Sequence, residues 1–107
     1  MKGPQNLKPV NRSPSPSAVH TYAQCVALEW APMGIRVNVV APGPIDTEFI
    51  NEAVPTQNAR QALEKLVPLG RIGAPDEVAS AVHYLLSDDA SYVTGAVLRI
   101  DGARLWT

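Results

Sequence analysis

The segment Ile35-Arg36-Val37-Asn38-Val39-Val40-Ala41-Pro42-Gly43-Pro44, near the middle of the chain, decides the fold. Its first seven residues are rich in β-branched side chains and alternate only partly between apolar and polar, which is typical of a strand inside a parallel sheet. The next three residues end the strand, because Pro42 and Pro44 lack a backbone donor and Gly43 tolerates positive φ. We therefore predict a strand over 35–41, apolar on nearly both faces.

Helical patterns lie on both sides of this strand. Apolar residues recur every three or four positions over 18–31, with Ser17 as a suitable N-cap and Gly34 as a suitable residue beyond the C-terminus. After the strand, two short helices are predicted, followed by a longer one that begins at Pro75 with acidic residues in its first turn. These three helices are expected over 47–53, 57–66 and 75–87.

A last, short strand is predicted over 97–100, where Asp101 and Gly102 end it. About 55 residues separate the two strands. This is the long crossover that parallel strands require, and such crossovers are right-handed in nearly all proteins. The expected fold class is therefore α/β, one enlarged βαβ unit with a leading helix.

The first seventeen residues differ in composition from the rest of the chain. They contain four of the ten prolines, three basic residues and no acidic residue, and their only aliphatic residues are Leu7 and Val10. Burying so few apolar groups does not offset the entropy lost on ordering. We expect residues 1–17 to be a disordered Pro/Ser-rich tail and 18–107 to be the folded domain. A phosphorylation or peptide-recognition site in the Ser-Pro-Ser-Pro stretch is the alternative for the tail.

Composition argues against several function classes. Nine basic and ten acidic residues give a net charge of -1, so no basic field attracts nucleic acid. No apolar run approaches the ~18 residues of a membrane span, so no membrane partner is expected. The single cysteine, Cys25, leaves no pair for a disulfide or a zinc site, which is typical of a reducing compartment. Because this sequence shows no secretory leader, the expected location is the cytoplasm. No bound metal is expected either.

Four stretches of the chain resemble the C-terminal part of the short-chain dehydrogenases/reductases. They occur in the order and at the spacing of that family and cover about 90 of the 107 residues. They are ALEWAPMGIRVN (27–38), PGPIDT (42–47), PLGRIG with PDEVA (68–79), and SDDASYVTG with DG (87–102). The resemblance implies the C-terminal fragment of a doubly wound Rossmann-type parallel sheet, with helix, strand, lid helices, helix and strand in that order.

The same resemblance implies an NAD(P)-dependent oxidoreductase that acts on an alcohol or carbonyl group. The implied partners are NAD or NADP, a small-molecule substrate, and further copies of the chain, which would pack through the helix over 18–31 and the last strand. Neither nucleic acid nor a membrane is among them. The segment 48–66 would form the lid over the substrate.

The resemblance assigns the loop after strand 35–41 to the nicotinamide. Pro42 and Gly43 would shape this loop. Ile45 would offer backbone groups to the carboxamide, and the hydroxyl of Thr47 would bond the carboxamide or the pyrophosphate. From the residues alone, ligands of open α/β sheets bind beyond the carboxyl ends of strands, and Gly43 lets the backbone come close to a flat ring. The alternative interpretation is that residues 42–44 simply end the strand.

The catalytic pair of the family is a Tyr followed four residues later by a Lys, just ahead of the helix over 18–31. In that register Arg12 and Pro16 stand at these positions, and neither supplies the acid or base that hydride transfer needs. His20 and His83 fall in predicted helices and are expected to be ordinary helix residues. The sequence therefore predicts no catalytic residue.

The Gly-rich turn that binds the cofactor phosphates is also absent from this sequence. We expect the chain as given to be truncated and inactive, and a poor binder of the cofactor by itself. The alternative function is that of a non-enzymatic partner, which packs on a full-length relative through the helix over 18–31 and the edge of strand 35–41.

Overall fold

The structure, a computed structural model, describes residues 17–104, so all of the predicted tail except Ser17 lies outside the described residues, as do Arg12 and Pro16. Four α-helices and two strands form within that range, and they follow the predicted order. The elements are α1 (Ala18–Trp30), β1 (Val39–Pro42), α2 (Glu48–Ala53), α3 (Gln57–Leu66), α4 (Pro75–Leu86) and β2 (Val97–Ile100), with 3-10 turns at Ala31–Met33 and Asp88–Ala90.

β1 and β2 form a two-stranded parallel sheet, in which Val39 pairs with Val97 and Pro42 with Ile100. Helix α4 packs against both strands. The connection from β1 to β2 runs through α2, α3 and α4, as a parallel pair requires. The α/β fold class and the crossover predicted from the sequence are confirmed.

β1 begins at Val39, so the prediction of a strand from residue 35 was wrong by four residues. Before that point one backbone bond to the loop ahead of β2 remains, from the amide of Gly95 to the carbonyl of Val37 at 2.7 Å, and side chains make the other bonds. Asn38 accepts from the amide of Ala96 at 3.0 Å and donates to the carbonyl of Val93 at 3.0 Å. Arg36 donates to the same carbonyl at 3.1 Å. The two polar side chains tie this segment to the loop ahead of β2, which explains why the alternation in the sequence was incomplete.

The end of β1 also differs from the prediction. Pro42 is the last residue of the strand and not the first residue of the loop, since it pairs with Ile100. A proline at this position costs nothing in the ladder, because the next amide, that of Gly43, donates to the carbonyl of Ile100 at 2.9 Å. The loop therefore leaves the sheet at Gly43.

The helix ends follow from local chemistry. The hydroxyl of Ser17 accepts from the amide of His20 at 3.1 Å, which confirms it as the N-cap of α1. Gly34, at φ 76°, takes the left-handed conformation after the 3-10 turn that ends α1. The helix boundaries differ from those predicted by one residue at most. No helix within 17–104 is both long and apolar enough to span a bilayer.

The core of the described part is small. Its buried apolar residues are Ala27, Ile45, Val67, Ile72, Leu85 and Ala90. No strand residue is fully buried, and Ile35, just ahead of β1, is 44% exposed. Helix α1 buries only Ala27, while Val19, Tyr22 and Leu28 are each at least two-thirds exposed. The strands and α1 thus keep apolar surface that these residues leave uncovered.

We expect a dilute polypeptide of residues 1–107 to be molten or aggregated, or ordered only as an oligomer or on a relative. The small core offers little burial, at about 25 cal/mol per Å² of apolar area, against an ordering cost of about 1–2 kcal/mol per residue. Urea unfolding followed by near-UV and far-UV circular dichroism should give broad transitions that do not coincide. A sharp transition of a monomer, independent of concentration and identical by both probes, would contradict this prediction.

Candidate functional site

The loop after β1 and the first turn of α4 line an open pocket of about 480 Å³. It lies beyond the carboxyl end of β1, where open α/β sheets bind ligands. The residues that line it are Pro42, Gly43, Ile45, Thr47, Pro75 and Val78. All four residues assigned to the cofactor from the sequence are among them, so the structure brings these four together. The lining has one side-chain hydroxyl and is otherwise apolar, which suits one face of a flat ring.

Gly43 is required by the packing of the loop on the end of β2. A Cβ added at this position would lie 2.6 Å from the Cβ and 2.7 Å from the Cα of Asp101. No side chain fits at such distances without movement of the backbone. From the sequence, the only reason for a glycine here was the close approach of a flat ligand ring. The contact with Asp101 was not predicted, because Asp101 lies far along the chain.

Ile45 is held between two backbone hydrogen bonds that Gly73 makes with its neighbours. The amide of Gly73 donates to the carbonyl of Pro44 at 2.9 Å, and the amide of Asp46 donates to the carbonyl of Gly73 at 2.8 Å. The side chain of Ile45 is buried. Within residues 17–104, the amide and the carbonyl of Ile45 itself make no hydrogen bond. Within residues 17–104, one donor and one acceptor are therefore unpaired at a residue that lines the pocket.

Thr47 is the N-cap of α2. Its hydroxyl oxygen accepts from the amide of Ile50 at 3.4 Å, and the residue is exposed at the pocket. A hydroxyl that accepts one hydrogen bond still has its own hydrogen to donate. Next to it, the carboxylate of Asp46 pairs with Arg60 of α3 at 3.3 Å. Capping of α2 thus leaves Thr47 able to donate to a ligand.

Arg71 and Glu77 form a two-pronged ion pair ahead of α4, with nitrogen–oxygen distances of 2.6 and 2.8 Å. Glu77 also accepts from the amide of Ala74 at 2.9 Å. The hydrogen bond from Arg71, followed by that from Ala74, lowers the pKa of Glu77 to about 2, and the same pair raises the pKa of Arg71. From the sequence, Glu77 was expected only to interact with the dipole of α4. The pair with Arg71 was missed, because no periodic pattern indicates it.

Other candidate residues lie away from this pocket. His20 belongs to α1 and His83 to α4, and neither lines it. Cys25 is exposed with a free thiol. Over 17–104, no three side chains of His, Cys, Asp or Glu come together as a metal site would need. None of the six lining residues titrates near neutral pH, so the pocket can bind and orient a ligand but offers no side chain for proton transfer.

The sequence was compared with known families and proteins. A family model described as enoyl-(acyl carrier protein) reductase matches residues 11–103. The 3β-hydroxysteroid dehydrogenase 1 of Eggerthella lenta is 47% identical over 88 residues, which are 82% of this chain and 34% of that protein. The chain spans about a third of the length of the curated relatives that it matches.

Solved structures show the same similarity. A short-chain dehydrogenase family protein from Francisella tularensis superposes with a TM-score of 0.79 at 33% identity, over 84% of this chain and 41% of that chain. A 4-hydroxyisoleucine dehydrogenase complexed with NADH gives a TM-score of 0.76 at 32% identity, over 84% and 36% of the two chains. The described elements therefore match a segment of larger Rossmann-type proteins.

We expect Gly43→Ala to lower the stability of the fold by about 1–3 kcal/mol, the usual cost of overpacking, because its methyl would lie 2.6 Å from the Cβ of Asp101. Urea unfolding measures the change in a chimera that carries residues 18–104 in place of the matching segment of the Eggerthella lenta relative, since a free energy of unfolding requires a cooperative transition. Amide exchange at position 43 should also accelerate, since this amide bonds Ile100.

Gly70→Ala is the control for that substitution. Its Cβ would meet nothing within 4 Å, although its φ of 83° adds backbone strain. The control should therefore leave exchange at position 43 unchanged. Equal acceleration in the two variants would show that Gly43 is not packed against Asp101.

The pKa of Glu77 should be about 2 in the ordered chain, below the ordinary value of 4.5 for a glutamate. Since its pKa is lowered by folding, the stability from its ionised form is complete above about pH 4.5 and is lost as the pH falls through about 2. Carbon-13 NMR of this carboxyl in the same chimera measures the midpoint, and Arg71→Ala should move it towards 4.5. A midpoint near 4.5 in the unmodified chain would be the contrary result.

Proposed function

This chain belongs to the short-chain dehydrogenase/reductase family, and on that premise we propose that 18–107 form the C-terminal, nicotinamide-facing portion of an NAD(P)-dependent oxidoreductase. Its substrate would be a small molecule with an alcohol or carbonyl group. The relatives support this class, since one is a hydroxysteroid dehydrogenase and a structural neighbour contains NADH. The residues that line the pocket between the loop after β1 and the start of α4 are our reason for extending this activity from the family to this chain.

The free backbone groups of Ile45 give the strongest support. A carboxamide offers one carbonyl acceptor and one NH₂ donor, which complement an unpaired amide and an unpaired carbonyl. Ile45 has both, and the hydroxyl of Thr47 in the same lining can donate a further bond. The residues present therefore fit a nicotinamide.

The remaining lining residues would exclude water from the ring and fix its plane. Pro42, Pro75 and Val78 supply apolar surface on two sides of the pocket. Gly43, which is packed on Asp101, keeps the start of the loop close to β2. When bound, the cofactor supplies or takes up the hydride, while this chain's own residues bind and orient it.

The positions of the catalytic pair hold no acid or base that could transfer the proton of this reaction. Arg12 and Pro16, at the positions of the catalytic Tyr and Lys in the register of the family, lie outside the described residues. Arginine stays protonated at neutral pH and proline has no side-chain donor. We infer that a polypeptide of residues 1–107 is inactive in hydride transfer and a poor binder of the cofactor.

Association with further copies and a cytoplasmic location complete the proposal. The exposed apolar residues of α1, among them Tyr22 and Leu28, would be covered by a second copy. The same surface would serve a non-enzymatic partner of a full-length relative, so it favours neither role. A lone, reduced Cys25 fits the cytoplasm.

Purified residues 1–107 should neither oxidise alcohols nor reduce carbonyls with NAD(P), because acid–base catalysis alone contributes about 10² to 10⁴ in rate. Absorbance at the reduced-nicotinamide band, with a panel of alcohols and ketones, checks this. Turnover that disappears on Thr47→Ala would overturn it, since the activity would then belong to this pocket. Turnover that persists in that variant would indicate a contaminating enzyme.

A further inference from the structure

We propose that the ion pair between Arg71 and Glu77 positions the loop 42–47, and with it the backbone of Ile45. Both residues would act as positioning residues through Gly73, without contacting a ligand of the pocket themselves. The role of the loop rests on the proposed function. The contacts that link the ion pair to the loop do not depend on the proposed function.

The first step joins the ion pair to Gly73. Arg71 lies two residues before Gly73, and Glu77 lies four residues after it in the first turn of α4. The two side chains meet through two charge-assisted hydrogen bonds of 2.6 and 2.8 Å, a geometry that fixes direction as well as distance. Glu77 holds the intervening segment a second time, through the amide of Ala74 at 2.9 Å. The backbone around Gly73 is thereby fixed relative to α4.

The second step joins Gly73 to the loop. Its amide and carbonyl make the two bonds to Pro44 and Asp46, at 2.9 and 2.8 Å, which enclose Ile45. A Cβ on Gly73 would lie 2.9 Å from the Cδ1 of Ile45, so the two residues are also in direct contact. On its other side the loop is held to β2 at Gly43. The loop thus has two attachments, and the ion pair controls the one nearer to Ile45.

The exposure of the pair indicates a local role. The side chains of Arg71 and Glu77 are 54% and 43% exposed, and ion pairs this exposed contribute little to global stability. Removing the pair should therefore loosen the loop more than it loosens the sheet. The side chain of Asp76, in the same turn of α4, makes no hydrogen bond or ion pair with the described residues, so Asp76 separates the effect of the pair from that of an acid near the helix N-terminus.

Amide hydrogen exchange by NMR tests the proposal on residues 18–104 carried in the Eggerthella lenta relative in place of its matching segment, because the polypeptide alone is expected to be molten or aggregated. In Glu77→Gln and in Arg71→Ala, exchange at the amides of Gly73 and Asp46 should accelerate by at least about threefold. The amide of Ala96, bonded to Asn38 at the far end of the sheet, should keep its rate. The matched control, Asp76→Asn, should leave all three amides unchanged.

Two further variants separate positioning from general destabilisation. The double variant of Arg71→Ala with Glu77→Gln should exchange no faster than either single variant, because both remove the same interaction. Arg71→Lys, which keeps the charge but loses the planar fork, should fall between the unmodified chain and Arg71→Ala.

Several results would overturn the proposal. These are equal acceleration at Ala96, additive effects in the double variant, the same change in Asp76→Asn, and full exposure of the Gly73 and Asp46 amides in the unmodified chimera. No cofactor enters the measurement. An exchange result that overturns this proposal therefore leaves the proposed function standing, because binding and activity assays test that function separately.

Discussion

The closure of Gly43 onto Asp101 is the contact on which the rest of the described structure depends. With a Cβ at position 43 the two backbones could not approach, because the added carbon would lie 2.7 Å from the Cα of Asp101. The approach lets the amide of Gly43 continue the parallel ladder by one bond beyond Pro42, to Ile100. It fixes the direction in which the chain leaves β1. The position of Ile45, the cap of α2 and the opening beside α4 all follow from that direction.

The pocket that results offers no side chain for acid–base chemistry. Its lining is apolar apart from the hydroxyl of Thr47 and the unpaired backbone groups of Ile45. In the proposed function, such a surface would bind a flat amide-bearing ring by its face and its edge, and the proton would be transferred by residues outside the pocket. This division of roles agrees with a chain that matches about a third of each curated relative. Chemistry assembled from distant parts of a Rossmann-type domain is typical of sites at the carboxyl ends of parallel strands.

Local interactions made most of the fold predictable from sequence. The caps at Ser17 and Gly34 act within a few residues, so the bounds of α1 followed from them. The start of β1 was predicted wrongly because Asn38 bonds the loop ahead of β2, across a separation of 58 residues, and such a partner leaves no local signal. The contact between Gly43 and Asp101 was missed for the same reason, because Asp101 lies far along the chain. The four residues proposed for the cofactor came from the family resemblance. The structure adds that, within residues 17–104, the backbone of Ile45 is unpaired while its neighbours are bonded to Gly73.

We propose that this segment is a competent nicotinamide-facing portion of a larger domain. A chimera tests it most directly, with residues 18–104 replacing the matching segment of the Eggerthella lenta relative, and with NADH and NADPH binding measured by fluorescence alongside urea unfolding. The account predicts cooperative unfolding and a Kd for the parent's preferred cofactor within about tenfold of the parent value. A chimera that unfolds cooperatively but binds neither cofactor would contradict it, and so would a chimera that fails to fold.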